Sequence, residues 1–166
     1  MVPGAGATGA CVLPTSDTSF LVVGGRSVPD QVVEYDTLTD TWSQWPELER
    51  PRHLLSCARL GDVLVIGGGE EDTSTTLLDL VTKEQRPGGQ MTTSRGDYFR
   101  MVNFGGRVLA VGGDDGESYL DSVEEWLWEG EGEGEGWRLA QDRLQTARYA
   151  FSALVAPREM VCGPEE

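Results

Sequence analysis

An apolar run that ends in two glycines recurs along this chain and constrains its fold more than any other feature. The copies are FLVVGG at residues 20–25, VLVIGG at 63–68, VLAVGG at 108–113 and a shortened EMVCG at 159–163. The final glycines of successive copies are 43, 45 and 50 residues apart. A fixed period of about 20–50 residues is typical of solenoids, propellers and other repeat arrays.

Each copy belongs to a predicted unit of four short strands. A first apolar run and a turn precede the double-glycine run, which together predict a hairpin. In the first repeat a third and a fourth strand follow at residues 31–35 and 41–45. Inner strands that are buried on both faces should be apolar throughout, as VLVIGG and VLAVGG are. The predicted units span residues 7–48, 51–91, 94–144 and 147–163, and the last unit holds only two strands, 149–155 and 159–162.

Two aromatic positions accompany the glycines. Tyr35 lies ten residues after Gly25, and Trp42 lies seven residues after Tyr35. In the third repeat Trp126 takes the tyrosine position and Trp137 the tryptophan position. In the second repeat the same spacing from Gly68 leads to Leu78 and Gln85, so that both aromatic side chains are lost. Because less area would then be buried, we expect the second unit to be the least stable.

The combination of four short strands, a double glycine, a tyrosine and a tryptophan resembles the kelch repeat family of β-propellers. The resemblance covers about residues 7–163 and implies an all-β fold of four-stranded antiparallel blades, about 3.5 of them in an incomplete arc. It also implies that the repeated glycines and aromatics are structural. These residues are Gly24, Gly25, Tyr35, Trp42, Gly67, Gly68, Gly112, Gly113, Trp126 and Trp137.

An arc with too few blades to close should expose apolar sheet surface at its ends. Propellers typically have about 4–8 blades, and exposed ends of a repeat array favour self-association. A truncated product, a partial gene model and a half-propeller completed by another chain are the alternatives that the blade count leaves open.

The charge of the chain limits its partners. It has 28 acidic and 13 basic residues and a net charge of −15, which disfavours nucleic acid and anionic membranes, because both attract Lys and Arg. Basic proteins or peptides are the expected partners, although acidity can also serve only solubility. The N-terminal residues lack the features of a signal peptide, and we expect a cytoplasmic location.

The sequence offers no catalytic, cofactor or metal site, and we expect a protein that is not an enzyme. His53 is the one histidine, which excludes histidine-rich metal sites. The triple glycine at 67–69 lacks the GK[ST] of a phosphate loop. The acidic runs at 70–72, 114–117 and 124–125 have no calcium-loop spacing, so solvated loops are expected.

Three cysteines, Cys11, Cys57 and Cys162, lie in apolar stretches without regular spacing. An odd count without a spacing pattern argues against a disulfide framework. Buried free thiols are therefore expected.

Function in a propeller lies in the loops at one end, because packing occupies the strands. The loops between the second and third strands, and those between blades, hold the candidate partner-binding residues. They are Arg26, Asp30, Arg52, His53, Glu70, Glu71, Asp72, Arg95, Asp97, Asp114, Asp115, Glu117, Arg148 and Tyr149. The arginines recur just before each first strand, where they can bind a partner carboxylate or pair with an acid of a neighbouring blade.

The resemblance implies a protein-interaction module. Kelch propellers often recognise substrates for cullin-RING ubiquitin ligases, a role that needs BTB and BACK domains elsewhere in a longer protein. An actin-associated scaffold and a non-functional truncated fragment are the alternatives.

Overall fold

The repeated apolar runs form the strands of three separate sheets. The computed structural model describes residues 7–69, 72–96, 98–127 and 136–156. Blade 1 contains β1 (Cys11–Pro14), β2 (Ser19–Val23), β3 (Val32–Asp36) and β4 (Thr41–Gln44). Blade 2 contains β5 (Leu55–Leu60), β6 (Val63–Gly68), β7 (Ser74–Asp79) and β8 (Gln85–Gln90). Blade 3 contains β9 (Arg100–Phe104), β10 (Arg107–Val111), β11 (Ser122–Leu127) and β12 (Gly136–Arg143).

Every sheet has the same antiparallel topology. Within each blade the strands pair in chain order, from β1 to β4, β5 to β8 and β9 to β12. The described residues contain no helix. These observations confirm the predicted all-β class of four-stranded antiparallel blades in an incomplete propeller.

The strand registers confirm the predicted equivalence of the aromatic positions. Tyr35 lies opposite Trp42 in blade 1, and Trp126 lies opposite Trp137 in blade 3. In blade 2 the corresponding pair is Leu78 and Gln85. The second blade therefore keeps the register without the aromatic side chains.

The double glycine of blade 2 was predicted one residue too early. Gly67 lies within β6 opposite Thr75, whereas Gly68 and Gly69 have positive φ angles of 86° and 105°. They match Gly24 and Gly25, at 63° and 121°, and Gly112 and Gly113, at 60° and 112°. With this pair the repeat is 44 residues in both intervals. The prediction was one residue off because it applied the spacing of blade 1 between the glycines and the third strand, and the loop after the glycines is one residue shorter in blade 2.

The blades pack face to face, and the two faces of a blade differ. We call the face that bears the Tyr35, Leu78 and Trp126 positions the leading face and the opposite face the trailing face. The trailing face of blade 1 packs on the leading face of blade 2, and the buried side chains are Leu13, Leu21, Val23, Val32, Leu55, Cys57, Leu64, Ile66 and Leu78. The trailing face of blade 2 packs on the leading face of blade 3 through Ala58, Val65, Leu77, Met101, Val108, Ala110, Trp126 and Trp137.

The two tryptophans of blade 3 fill the joint and satisfy their polar atoms across it. Trp126 donates from Nε1 to the carbonyl of Gly88 at 3.0 Å, and Trp137 donates to Oγ1 of Thr75 at 3.0 Å. Gly88 leaves room for the side chains of Leu77 and Thr75 in its own blade, because a Cβ at this position would lie 2.8 Å from both. Large aromatic rings on one blade thus meet small groups on the other.

The leading face of blade 1 carries the matching aromatic cluster without a blade against it among the described residues. Phe20, Tyr35 and Trp42 are half-buried and contact one another, with ring centroids 4.8 to 6.1 Å apart. Blade 2, by contrast, is covered on both faces. The burial pattern therefore favours a stable second blade, which is the opposite of the order expected from its lost aromatics.

Cys11 and Cys57 form a disulfide, so the expectation of free thiols was wrong for this pair. Cys11 lies on the trailing face of β1 and Cys57 on the leading face of β5, with their Cα atoms 6.0 Å apart. The two residues are 46 positions apart, and only the facing of adjacent blades brings them together. Cys162 lies outside the described residues.

The start of the fourth unit follows the edge of blade 3. Residues 149–155, predicted to form a strand, have no strand pairing in this structure. A strand is defined by its ladder, and the predicted partner run at 159–162 lies outside the described residues. Phe151 nevertheless contacts Gly112 as Leu55 contacts Gly24 and Phe99 contacts Gly68, so the chain enters the next repeat in the same way each time.

Replacing Trp137 by alanine should lower the free energy of unfolding by about 3–5 kcal/mol, because a buried indole is removed from the joint. The matched variant Trp42→Ala removes the equivalent ring from the open face of blade 1. It should cost about 1–2 kcal/mol, because only the buried half of that ring is lost. Urea unfolding of both variants measures the difference, and equal costs would contradict the described packing.

Candidate functional site at the loop end

Loops of two kinds meet at one end of the blades. The amide of Gly25 donates to the carbonyl of Arg52 at 3.1 Å, and the amide of Gly113 donates to that of Arg148 at 2.8 Å. The amide of Asp114 donates to the carbonyl of Arg95 at 3.1 Å. These bonds join the β2–β3 type of loop to the connections between blades. We call this surface the loop end.

The double glycines permit this close approach. A Cβ on Gly24 would lie 2.5 Å from the carbonyl oxygen of Arg52, and one on Gly113 would lie 2.5 Å from that of Arg95. Both glycines also have positive φ angles, which other residues adopt at a cost. The glycines are therefore structural, as the kelch resemblance implied for this motif.

Arg95 is part of the interior of blade 3. Its side chain is 0% exposed and donates to the carbonyls of Gly112, at 2.8 Å, and Ser122, at 3.0 Å. It also forms a salt bridge of 3.0 Å with Glu124. The carboxylate of Glu124 accepts further bonds from the amides of Thr92, at 2.6 Å, and Thr93, at 3.2 Å. Burial lowers the pKa of Arg95, and the charge of Glu124 opposes that effect.

Arg52 repeats this arrangement in blade 2. It donates to the carbonyl of Gly68 at 2.9 Å, to Asp72 at 3.0 Å and to the hydroxyl of Ser74 at 2.8 Å. Desolvation lowers its pKa, and Asp72 counteracts the shift. Register places Thr76 where blade 3 has Glu124, so Asp72 from the loop supplies the counter-charge instead.

These contacts answer the question that the recurring arginines raised. Arg52 and Arg95 pair with acids of their own blades and not with a neighbouring blade or the surface. Their guanidinium groups are enclosed and cannot reach a partner in this structure. Asp72 is engaged in the same network, and Glu124 and Glu125, expected in a solvated loop, are buried in β11. A run of acidic residues in the sequence does not show which of its carboxylates pairs with a buried arginine.

The other candidates divide by exposure. Glu70, Glu71 and Asp97 lie outside the described residues. Asp30, His53 and Asp114 are partly buried. The exposed candidates are Arg26, Asp115, Glu117, Arg148 and Tyr149. Their proposed binding of a partner stays a prediction.

An exposed pair of tyrosines is the most distinctive feature of the loop end. The rings of Tyr119 and Tyr149 stack with centroids 4.2 Å apart and planes 15° apart. They are 53% and 43% exposed. A hydrogen bond with Tyr149 raises the pKa of Tyr119, and the charge of Asp114 contributes to the rise. Sequence reasoning found Tyr149 but missed Tyr119, since a single tyrosine in a polar loop carries no periodic signal.

Carboxylates lie beside this pair. Asp114 bridges to Tyr119 through the backbone and accepts a bond from the amide of Gly116 at 2.8 Å. Asp115 accepts bonds from the amides of Ser118, at 2.8 Å, and Glu117, at 3.0 Å, and these bonds lower its pKa. An aromatic face with fixed carboxylates nearby is suited to a cation.

Neither a metal centre nor a membrane span is found in the part of the chain that the structure describes. It contains no group of three or more His, Cys, Asp or Glu side chains arranged to hold a metal ion. It likewise has no helix of the length and hydropathy that crossing a bilayer requires.

The three sheets and their loop end are those of an incomplete β-propeller. The family model described as the kelch motif matches residues 95–126, which run from Arg95 to the strand that carries Trp126. This motif match and the repeated four-stranded blades support a kelch repeat family for the chain. No curated protein matches the chain.

The kelch repeat is generally a non-enzymatic fold that binds protein partners. The matched motif and the blade-like sheets together support a kelch-type protein-interaction module.

Substituting Arg95 by methionine should lower the free energy of unfolding by about 3–5 kcal/mol, because Glu124 is left buried without its counter-charge. Adding Glu124→Gln should restore part of the loss, since the amide oxygen still accepts from Thr92 and Thr93. Thermal and urea unfolding measure both variants. The surface control Arg26→Met should stay within about 0.5 kcal/mol of the parent. Equal stability of the Arg95 and Arg26 variants would refute the structural role.

Proposed function

We propose that this chain is a protein-interaction module whose loop end binds a cationic segment of a partner protein. The observation that carries the proposal is the exposed stack of Tyr119 and Tyr149 beside the acidic loop at residues 114–117. The loop and the stack together are called the tyrosine–acid surface. Lysine or arginine side chains that contact the rings and the carboxylates are the expected ligands.

The aromatic part of this surface suits a binding hot spot. Tyrosine is enriched among the few residues that contribute most of the energy of an interface. The backbone around the pair is anchored, because the amide of Arg148 donates to Leu120 at 3.0 Å and that of Leu120 donates to Gly113 at 2.8 Å. A surface held in place in this way loses little conformational entropy on binding.

The acidic part supplies attraction and orientation. The lowered pKa of Asp115 keeps this carboxylate ionised at neutral pH, and the chain as a whole carries a net charge of −15. Such a field raises association rates for basic partners and weakens as salt is added. Arg148 is exposed next to Tyr149 in the chain. Because its positive charge repels a cationic ligand, the charged groups of the ligand have to lie nearer to Asp114 and Asp115.

Finer roles rest on features beyond this surface. Substrate recognition for a cullin-RING ubiquitin ligase in the cytoplasm is one proposal, and it needs BTB and BACK domains in the same protein. An actin-associated scaffold is the alternative. A surface that binds cationic ligands is compatible with both roles, since a ligase substrate and a cytoskeletal partner can each present a basic segment.

A fluorescent peptide of alternating Arg and Gly should bind the chain with an affinity that falls as salt rises, whereas a Glu–Gly peptide should not bind. Tyr149→Ala and Tyr119→Ala should each weaken binding about tenfold, as expected when a hot-spot ring is lost. Asp115→Asn should weaken it through charge alone, because asparagine can keep the turn hydrogen bonds. Fluorescence anisotropy gives the dissociation constants.

The matched control is Asp62→Asn, which removes an exposed carboxylate from the turn between β5 and β6, at the opposite end of the blades. It should leave the affinity unchanged. Loss of affinity in this control equal to that in Asp115→Asn would show that net charge alone attracts the peptide and would rule out the tyrosine–acid surface.

A further inference from the structure

The disulfide lies where the first strands of two blades meet. Cys11 is in β1 and Cys57 in β5, and both strands are the first of their sheets. The sulfur atoms bridge the trailing face of blade 1 and the leading face of blade 2, with Cα atoms 6.0 Å apart. The link therefore holds one blade to the next rather than strands within a blade.

The next joint shows what occupies this position without cysteines. By register, Ser56 of β5 corresponds to Cys11, and Met101 of β9 corresponds to Cys57. There the amide of Met101 donates to the hydroxyl of Ser56 at 2.8 Å. The second joint thus has a hydrogen bond at this position, whereas the first joint has a covalent bond that reductants can break.

Both cysteines line a cavity of about 480 Å³. Its wall includes Gly9, Cys11, Leu54, Cys57, Tyr98 and Arg100. Cys11 is partly exposed, whereas Cys57 is only 8% exposed. Of the two cysteines, Cys11 is therefore the more exposed to a small thiol.

We propose that the Cys11–Cys57 pair is a thiol–disulfide exchange site for a low-molecular-weight thiol, and that exchange there loosens the joint between blades 1 and 2. The incoming thiolate attacks Sγ of Cys11, the bond between the two protein sulfurs breaks, and Cys57 leaves as a thiolate that takes up a proton. A second thiol then attacks the mixed disulfide and frees Cys11. Two thiols are oxidised to one small disulfide while the protein disulfide is reduced to two thiols.

The consequence of exchange is local. The disulfide closes a loop of 46 residues, and a crosslink of this kind stabilises chiefly by restricting the unfolded chain. The apolar side chains of the joint remain in contact after reduction. We therefore expect blade 1 to stay folded but to open more often, with β1 the most affected strand.

Heating the full chain with and without reduced glutathione tests the proposal, with Cys162→Ser in every sample so that the third thiol cannot exchange. Alkylation and intact mass should show two new thiols after reduction. The melting temperature should fall by about 5–15 °C, as expected for a disulfide in a domain of this size. The proposal would be overturned if two thiols were released with no fall in the melting temperature, or if the oxidised protein contained no Cys11–Cys57 disulfide.

The second joint provides the matched variant. Cys11→Ser with Cys57→Met reproduces the Ser56–Met101 pair at the first joint, and its melting temperature should not respond to glutathione. An equal response in this variant would place the effect elsewhere in the chain and would overturn the proposal as well.

Single variants test the order of attack. With oxidised glutathione, Cys57→Ser should form a mixed disulfide at Cys11 about tenfold faster than Cys11→Ser forms one at Cys57, because reaction rates follow access to the sulfur. Intact mass measures both rates. Equal rates would contradict the assignment of Cys11 as the sulfur that is attacked.

Discussion

The packing of one blade's leading face on the trailing face of the blade before it is the interaction on which the structure depends. A single four-stranded sheet cannot bury its apolar residues on both sides. At the second joint Trp126 and Trp137 of blade 3 fill the space over Thr75 and Gly88 of blade 2. The repeated strands are stable because each sheet supplies the surface that its neighbour needs.

The loop end is positioned by the same repeats. Arg52 and Arg95 each bind the carbonyl of the first glycine of their own blade, and the following loops start from those glycines. Enclosed arginines therefore hold the polar loops, and their side chains are not accessible to a partner in this structure. The side chains left for a partner are those at the loop tips, which include Tyr119 and Tyr149. The scaffold and the proposed binding surface thus use different residues of the same loops.

The sequence was sufficient to predict features with a periodic pattern. Four-stranded blades and the equivalence of Tyr35 with Trp126 followed from apolar runs at a regular spacing. Features that depend on three-dimensional facing could not be read in this way. The disulfide joins residues on different blades, Glu124 is recognised as internal only once Arg95 lies beside it, and the Tyr119–Tyr149 stack forms between two loops. The double glycine of blade 2 was misplaced by one residue because the following loop had changed its length.

The relative stability of blades 1 and 2 distinguishes two explanations of what stabilises this chain: aromatic side chains within a blade, or coverage of both faces of a blade. If aromatic side chains determined the stability of a blade, blade 2 would be the least stable, because it has Leu78 and Gln85 in place of two aromatic rings. Coverage of both faces predicts instead that amides of β6 and β7 exchange more slowly than those of β2 and β3. Native-state hydrogen exchange, followed by mass spectrometry on peptides of these strands, measures the order directly. Slower exchange in blade 2 is the predicted result, and slower exchange in blade 1 would contradict the central role of face-to-face packing.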